Sequence, residues 1–128
     1  MDKEKIIKVL EAEQALIATS VVHYKKRRCG HPGRCAIGAL LFAAGVTDKQ
    51  LWEIEEVTQR CSDTEAIWGL FPEYGDLLYL TYGLDECQAA QIMSENDSPG
   101  KECQLGSGPE WRQDRKRVEC VVTYVREM

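Results

Sequence analysis

This chain of 128 residues has no long apolar run. Nothing in it approaches the roughly 20 apolar residues that a membrane-spanning helix needs. The segment Met1-Asp2-Lys3-Glu4-Lys5 is charged and carries no apolar h-region, so no secretory signal is expected. Paired Cys-x2-Cys knuckles are missing although six cysteines are present, which removes the usual structural-zinc pattern. Histidine is scarce: His23 and His31 are the only two, so they are the only candidate imidazole bases. There is no internal repeat and no low-complexity tract. Positive charge is outnumbered, with a net charge of -5, which argues against generic nucleic-acid binding. The expectation is a soluble, cytoplasmic protein without a membrane partner, whose cysteines stay reduced.

The apolar residues that are present fall at helical spacing. Ile6, Ile7, Val9, Leu10, Leu16, Ile17, Val21 and Val22 predict a helix over 4–22, whose β-branched end can turn extended. Gly30, Pro32 and Gly33 place a loop at 25–34. Cys35 to Ala44 is apolar almost all round and reads as the buried central helix, with Gly45 as the residue past its end. Thr47-Asp48-Lys49-Gln50, Ser62-Asp63-Thr64-Glu65 and Asp85-Glu86-Cys87-Gln88 each have a capping-box pattern. Pro72 ends the second of these helices, and Gly83 stops the next. Asn96 to Gly100 reads as a turn, and Val118, Val121, Val122 and Val125 predict a closing helix over 113–127. The fold class is mainly α: a single compact domain, 1–128, of five to seven short helices around a buried apolar helix at 35–45. A small β-hairpin near 20–34 is compatible with it, and 98–112 forms a mobile loop insert.

Charge is distributed unevenly. Lys25, Lys26, Arg27, Arg28 and Arg34 form one basic block, and Arg112, Arg115, Lys116 and Arg117 form another. The first stands directly before the N-terminus of the Cys35 helix, where unpaired N–H groups and the helix dipole favour anions and lower thiol pKa values. Arg27, Arg28, Arg34 and Cys35 are therefore candidate ligand-binding residues, with Asn96 and Asp97 as a polar pair pointing into a pocket by Cys35 and Trp111 as a stacking residue at the edge of the mobile loop. Trp52, Trp68, Tyr74 and Tyr79 sit at spacing more typical of core. A second candidate chemistry makes Cys35 a nucleophile, with His31 or His23 as base and Asp97 or Asn96 as orienter. Against it stands a plain packing role for a small buried thiol. Asp97 or Asn96 then reaches the 35–38 backbone as a cap supplied from a distant segment, with Asp97 the favoured acceptor. A metal alternative joins Cys29, His31 and Cys35 with Cys61 or Cys103, but without knuckles no metal and no cofactor is expected.

The order of elements carries a further signal. A basic, glycine-containing loop leads into Cys35-Ala36-Ile37-Gly38-Ala39-Leu40, followed downstream by Gly83-Leu84-Asp85, Asn96-Asp97 and a terminal amphipathic helix. This arrangement resembles a group of small uncharacterised bacteriophage, prophage and actinobacterial proteins. They carry a Cys-x-(Leu/Ile)-Gly-(Ala/Val)-Leu segment and a downstream Asn-Asp. Cys35, Gly38, Leu40, Asn96 and Asp97 match that pattern. The long 98–112 segment departs from it, since the pattern has a short glycine-containing link there. The resemblance implies a phage or mobile-element setting and no particular activity. Together these features point to a non-catalytic accessory protein of an infected or lysogenic host. It would bind a host protein or a small anionic, nucleotide-like ligand in host takeover or counter-defence. A Cys35-dependent hydrolase or transferase and a purely structural or oligomerising module are the alternatives.

Overall fold

The computed structural model describes all residues except 19–20, 24–31, 59–64, 100–104 and 106–107. The described residues form a mainly helical single domain with one small β-pair. In chain order these are α1 (Lys3–Ala12), β1 (Val22–His23), β2 (Gly33–Arg34), α2 (Ala36–Ala43), α3 (Asp48–Thr58), a short π-type helix α4 (Ala66–Leu70), α5 (Pro72–Tyr82), α6 (Glu86–Asp97) and α7 (Glu110–Glu127). β1 and β2 are antiparallel, with Val22 opposite Arg34 and His23 opposite Gly33.

Helix α2 occupies the centre. Ala36 through Leu41 are all buried, so the helix has no polar stripe. It packs against α1, α5 and α6, and α7 closes over α1 and α6 from outside. Gly45, at φ +109°, follows the end of α2 in a conformation that side chains avoid. Gly38 is required for a different reason. A Cβ at this position would lie 2.3 Å from the carbonyl oxygen of Val21, so the backbone before β1 rests directly on α2. Buried Tyr82 reaches in from α5 and donates its hydroxyl to Leu40 O at 2.6 Å. Burial pushes its pKa up to about 12.

Two of the sequence-predicted capping boxes form. Thr47 Oγ1 accepts from Gln50 N–H while Gln50 Oε1 accepts from Thr47 N–H. Asp85 and Gln88 exchange the same pair of bonds at the start of α6. Residues 62–64 of the third lie outside the described residues. Pro72 does separate two helices, and it is also the first residue of α5. Before it, Phe71 N–H donates back to Ala66 O, the i+5 bond that gives α4 its wide turn.

Three boundaries differ from the sequence expectation. Helix α1 ends at Ala12, and Glu13 is extended. The apolar residues beyond it are held by distant partners instead. Leu16 N–H donates to Asp114 O, Leu16 O accepts from Arg117, and Ile17 N–H donates to Arg34 O. Helix α6 runs through Asn96 and Asp97 where a turn was expected, because Asn96 needs a helical backbone to aim its side chain at α2. Helix α7 starts at Glu110, so the last three residues of the predicted 98–112 loop are helical, and Trp111 stands on the first turn. Cys120 is disulfide-bonded, which corrects the expectation that the cysteines remain thiols; Cys35 and Cys87 are free. Among the described residues no helix is long and apolar enough to cross a membrane.

Candidate functional site

The start of α2, where the sequence concentrates its candidates, is closed by its own neighbours. Cys35 is the N-cap, 1 % exposed, and its Sγ accepts from Gly38 N–H at 3.3 Å. The thiol thus takes the part that serine or aspartate usually plays. Asn96 Oδ1 accepts from Ala36 N–H at 3.1 Å. Asn96 Nδ2 donates to Ile17 O at 2.9 Å and to Asp97 Oδ1 at 3.1 Å. The cap from a distant segment therefore exists, but Asn96 supplies it. Asp97, one position further round α6, is half-buried and braces the Asn96 amide. The coupling of the Cys35 and Asn96 motifs has a structural cause: one covers the orphan N–H groups that the other exposes.

Arg34 is likewise committed. Its Nε and Nη2 fork onto the two carboxylate oxygens of Asp48 at 2.8 and 2.9 Å, and Nη1 donates to Glu13 Oε1 at 3.3 Å. Its guanidinium carbon stands 3.7 Å from the centre of the Phe42 ring. An anion approaching Arg34 would have to displace Asp48 from a bidentate pair that is mostly out of water. The role expected for Arg34 as an anion fork gives way to a tie between the end of α1, the start of α3 and α2. His23 is half-buried on β1. Arg27, Arg28, His31, Cys29, Cys61 and Cys103 lie outside the described residues. Within the described residues no group of three or more His, Cys, Asp or Glu side chains could hold a metal ion. Trp111 is half-buried, with the guanidinium carbons of Arg112 and Arg115 at 5.5 and 5.3 Å from its ring centre.

What the sequence did not single out is a groove of about 620 Å³ between α1 and α2. Its floor is apolar, with Val9 and Ala12 on one side and Ala39, Phe42 and Ala43 on the other. Lys5 and Lys8, both exposed, stand at one end. Glu13, Gln14 and the Arg34–Phe42 stack close the other. Phe42 is 42 % exposed, unusual for a large apolar residue in the most buried helix of the molecule. The groove exists because Ala12, Ala39 and Ala43 are too small to fill the space between two helix axes. That set of alanines around a lone phenylalanine was the available signal. It is an amphipathic slot, able to bury apolar side chains while its lysine end attracts carboxylates.

No protein-family model matches this chain, and no curated protein or solved structure is similar to it.

Proposed function

We propose that this is a non-catalytic binding protein whose working surface is the α1–α2 groove. Its partner is a protein segment: an amphipathic helix with apolar side chains on one face and carboxylates one turn apart. The observation that carries this is the contrast in commitment. At the α2 entry the backbone donors, the thiol and Arg34 are engaged within the molecule. In the groove an exposed phenylalanine and two lysines face outward together. A helix lying in such a slot uses i, i+3 and i+4 anchors for affinity and charge for orientation. The phage or mobile-element setting, with a host protein as partner, belongs to the same proposal and rests on the Cys35–Leu40 and Asn96–Asp97 motifs alone. The cysteine-enzyme alternative has less support, since a substrate cannot reach a thiol that is 1 % exposed. The nucleotide-like ligand keeps only Trp111 with Arg112 and Arg115 from the described residues, because Arg34, Cys35 and Asn96 serve the fold.

The test is fluorescence anisotropy with a labelled helical peptide bearing Glu-x-x-Glu followed by Leu-Leu on an alanine background. Wild type should bind it, and a lysine-for-glutamate control peptide should bind at least tenfold more weakly. Lys8→Glu and Ala43→Glu, both at exposed positions, should each reduce affinity about tenfold or more without lowering Tm noticeably. Equal binding of the two peptides, or binding unchanged in both variants, would remove the groove as the functional site.

A further inference from the structure

The most exposed of the large apolar side chains described, Leu80, is 81 % exposed, and its neighbour Tyr79 is 62 % exposed. Both lie on α5, whose buried face is set by Tyr74, Leu78 and Tyr82. On the same outward face, one and two turns earlier, stand the exposed carboxylates Glu73 and Asp76. Their negative field is felt locally, since Glu73 and Glu53 both help raise the pKa of Tyr74, after the larger effect of burial. The stripe therefore reads acid, acid, aromatic, aliphatic across eight residues, Glu73 to Leu80.

The α1–α2 groove presents the complementary order across the same span. Lys5 and Lys8 are followed by Val9 and Ala12, with exposed Phe42 alongside. Seven helical steps rise about 10 Å in each case, so two helices laid parallel align both charged pairs and set Tyr79 and Leu80 over the Val9–Ala12 turn. Neither lysine makes an ion pair among the described residues; Lys5 only lies over the Tyr82 ring, 5.7 Å from its centre. Contiguous exposed apolar surface rimmed by polar groups marks protein interaction sites.

We propose that the α1–α2 groove takes the outward stripe of α5 from a second copy of the chain. Glu73 and Asp76 meet Lys5 and Lys8, and Tyr79 and Leu80 lie on Val9 and Phe42. This rests on the groove reading above and names an occupant for it. A foreign acidic helix then binds by displacing the second copy, so association with itself and with a partner are mutually exclusive. One helix in one groove is a small contact, so the association is weak, in the range of tens to hundreds of micromolar.

Sedimentation velocity across about 10 µM to 1 mM tests it, with far-UV circular dichroism confirming the fold of each variant. Wild type should sediment faster as concentration rises, and less so in 0.5 M salt, where the screening length falls from about 8 Å to roughly 4 Å. The double variants Lys5→Glu/Lys8→Glu and Glu73→Lys/Asp76→Lys should each stay monomeric. Mixed in equal amounts they should associate again, because each groove then meets an oppositely charged stripe. Leu80→Glu, at a position that packs on nothing, should also stay monomeric. A wild type that is monomeric throughout, or a mixture that does not regain association, overturns the proposal. The labelled peptide separates this failure from failure of the groove itself. Peptide binding by a wild type that does not self-associate sinks only the second copy as occupant, whereas loss of peptide binding by wild type sinks both.

Discussion

The start of α2 and the α1–α2 groove meet at Arg34, yet they treat polar groups in opposite ways. At the α2 start the polar groups are spent on the molecule itself. Asn96 bridges α6 to Ala36 and Ile17, Cys35 caps its own helix, and Arg34 holds Asp48 and Glu13. Similar ties recur nearby. Buried Glu55 accepts from Val21 N–H at 2.7 Å, and the buried Asp114–Arg117 pair takes both backbone groups of Leu16. These ties hold irregular backbone against helices that offer it no ladder, which is why they are buried and hydrogen-bonded. In the groove, and on the α5 stripe that matches it, charge and apolar surface remain outside. A motif-rich segment thus serves the fold, and the surface proposed for recognition carries no motif.

If that contrast is right, the largest losses of stability come from the α2 start. Gly38→Ala should be the most damaging change, because its Cβ would sit 2.3 Å from backbone oxygen at Val21, and backbone cannot step aside as a side chain can. A loss of about 3 kcal/mol or more is expected in denaturant unfolding. A loss below 1 kcal/mol would mean that the Val21 carbonyl does not rest on α2 as described. Next comes Asn96→Ala, which strips the cap from Ala36 N–H and the donor from Ile17 O. About 2–4 kcal/mol is expected, against about 1 kcal/mol or less for Asp97→Ala. The reverse ranking would restore Asp97 as the cap.

Much of this architecture was legible in the sequence, and the failures share one cause. The central helix was plain because Ala36–Ala43 has no polar stripe, and the Thr47 and Asp85 caps because capping is local chemistry. Partners far along the chain were not legible. Nothing local in Leu16-Ile17 announces that its backbone will bond Asp114, Arg117, Arg34 and Asn96, so helical periodicity carried the predicted helix past its real end at Ala12. The same limit hid the candidate site. Leu77-Leu78-Tyr79-Leu80 is apolar at every position, so its phase stays undefined until Tyr82 and Leu78 dock against α2 and turn Tyr79 and Leu80 outward. Arg34 looked like an anion fork because Asp48, its carboxylate, lies across a whole helix in sequence.

An intermediate effect should appear in alkali. The folded-state pKa of Tyr82 is about 12, above the ordinary value of 10, because burial disfavours the phenolate. The stability it contributes is therefore complete below about pH 10 and is lost as pH rises toward 12. Unfolding free energy should fall there by up to about 1.4 kcal/mol per pH unit from this group. Tyr82→Phe should cost about 1 kcal/mol at neutral pH, since Leu40 O keeps its bond from Ala44 N–H. It should also flatten the alkaline limb, and an unchanged limb would place the phenol in water.

The smallest effects should come from the residue that first drew attention. Cys35 contributes one weak sulfur cap and a small buried volume, so Cys35→Ala should cost about 1 kcal/mol. Cys35→Ser should be close to neutral, because a hydroxyl is a better cap while its burial costs something in return. Affinity for the groove peptide should be the same in both, since the thiol is buried at the α2 N-cap and does not line the groove. Alkylation of the native protein provides an independent check. Cys87 is exposed and free and should react readily, whereas Cys35, at 1 % exposure, should react only at the rate at which the α2 start opens. Asn96→Ala, by loosening that junction, should speed Cys35 modification without changing that of Cys87. A native Cys35 that reacts as fast as Cys87 would return the α2 start to the list of chemically active sites and dissolve the distinction between scaffold and recognition surface.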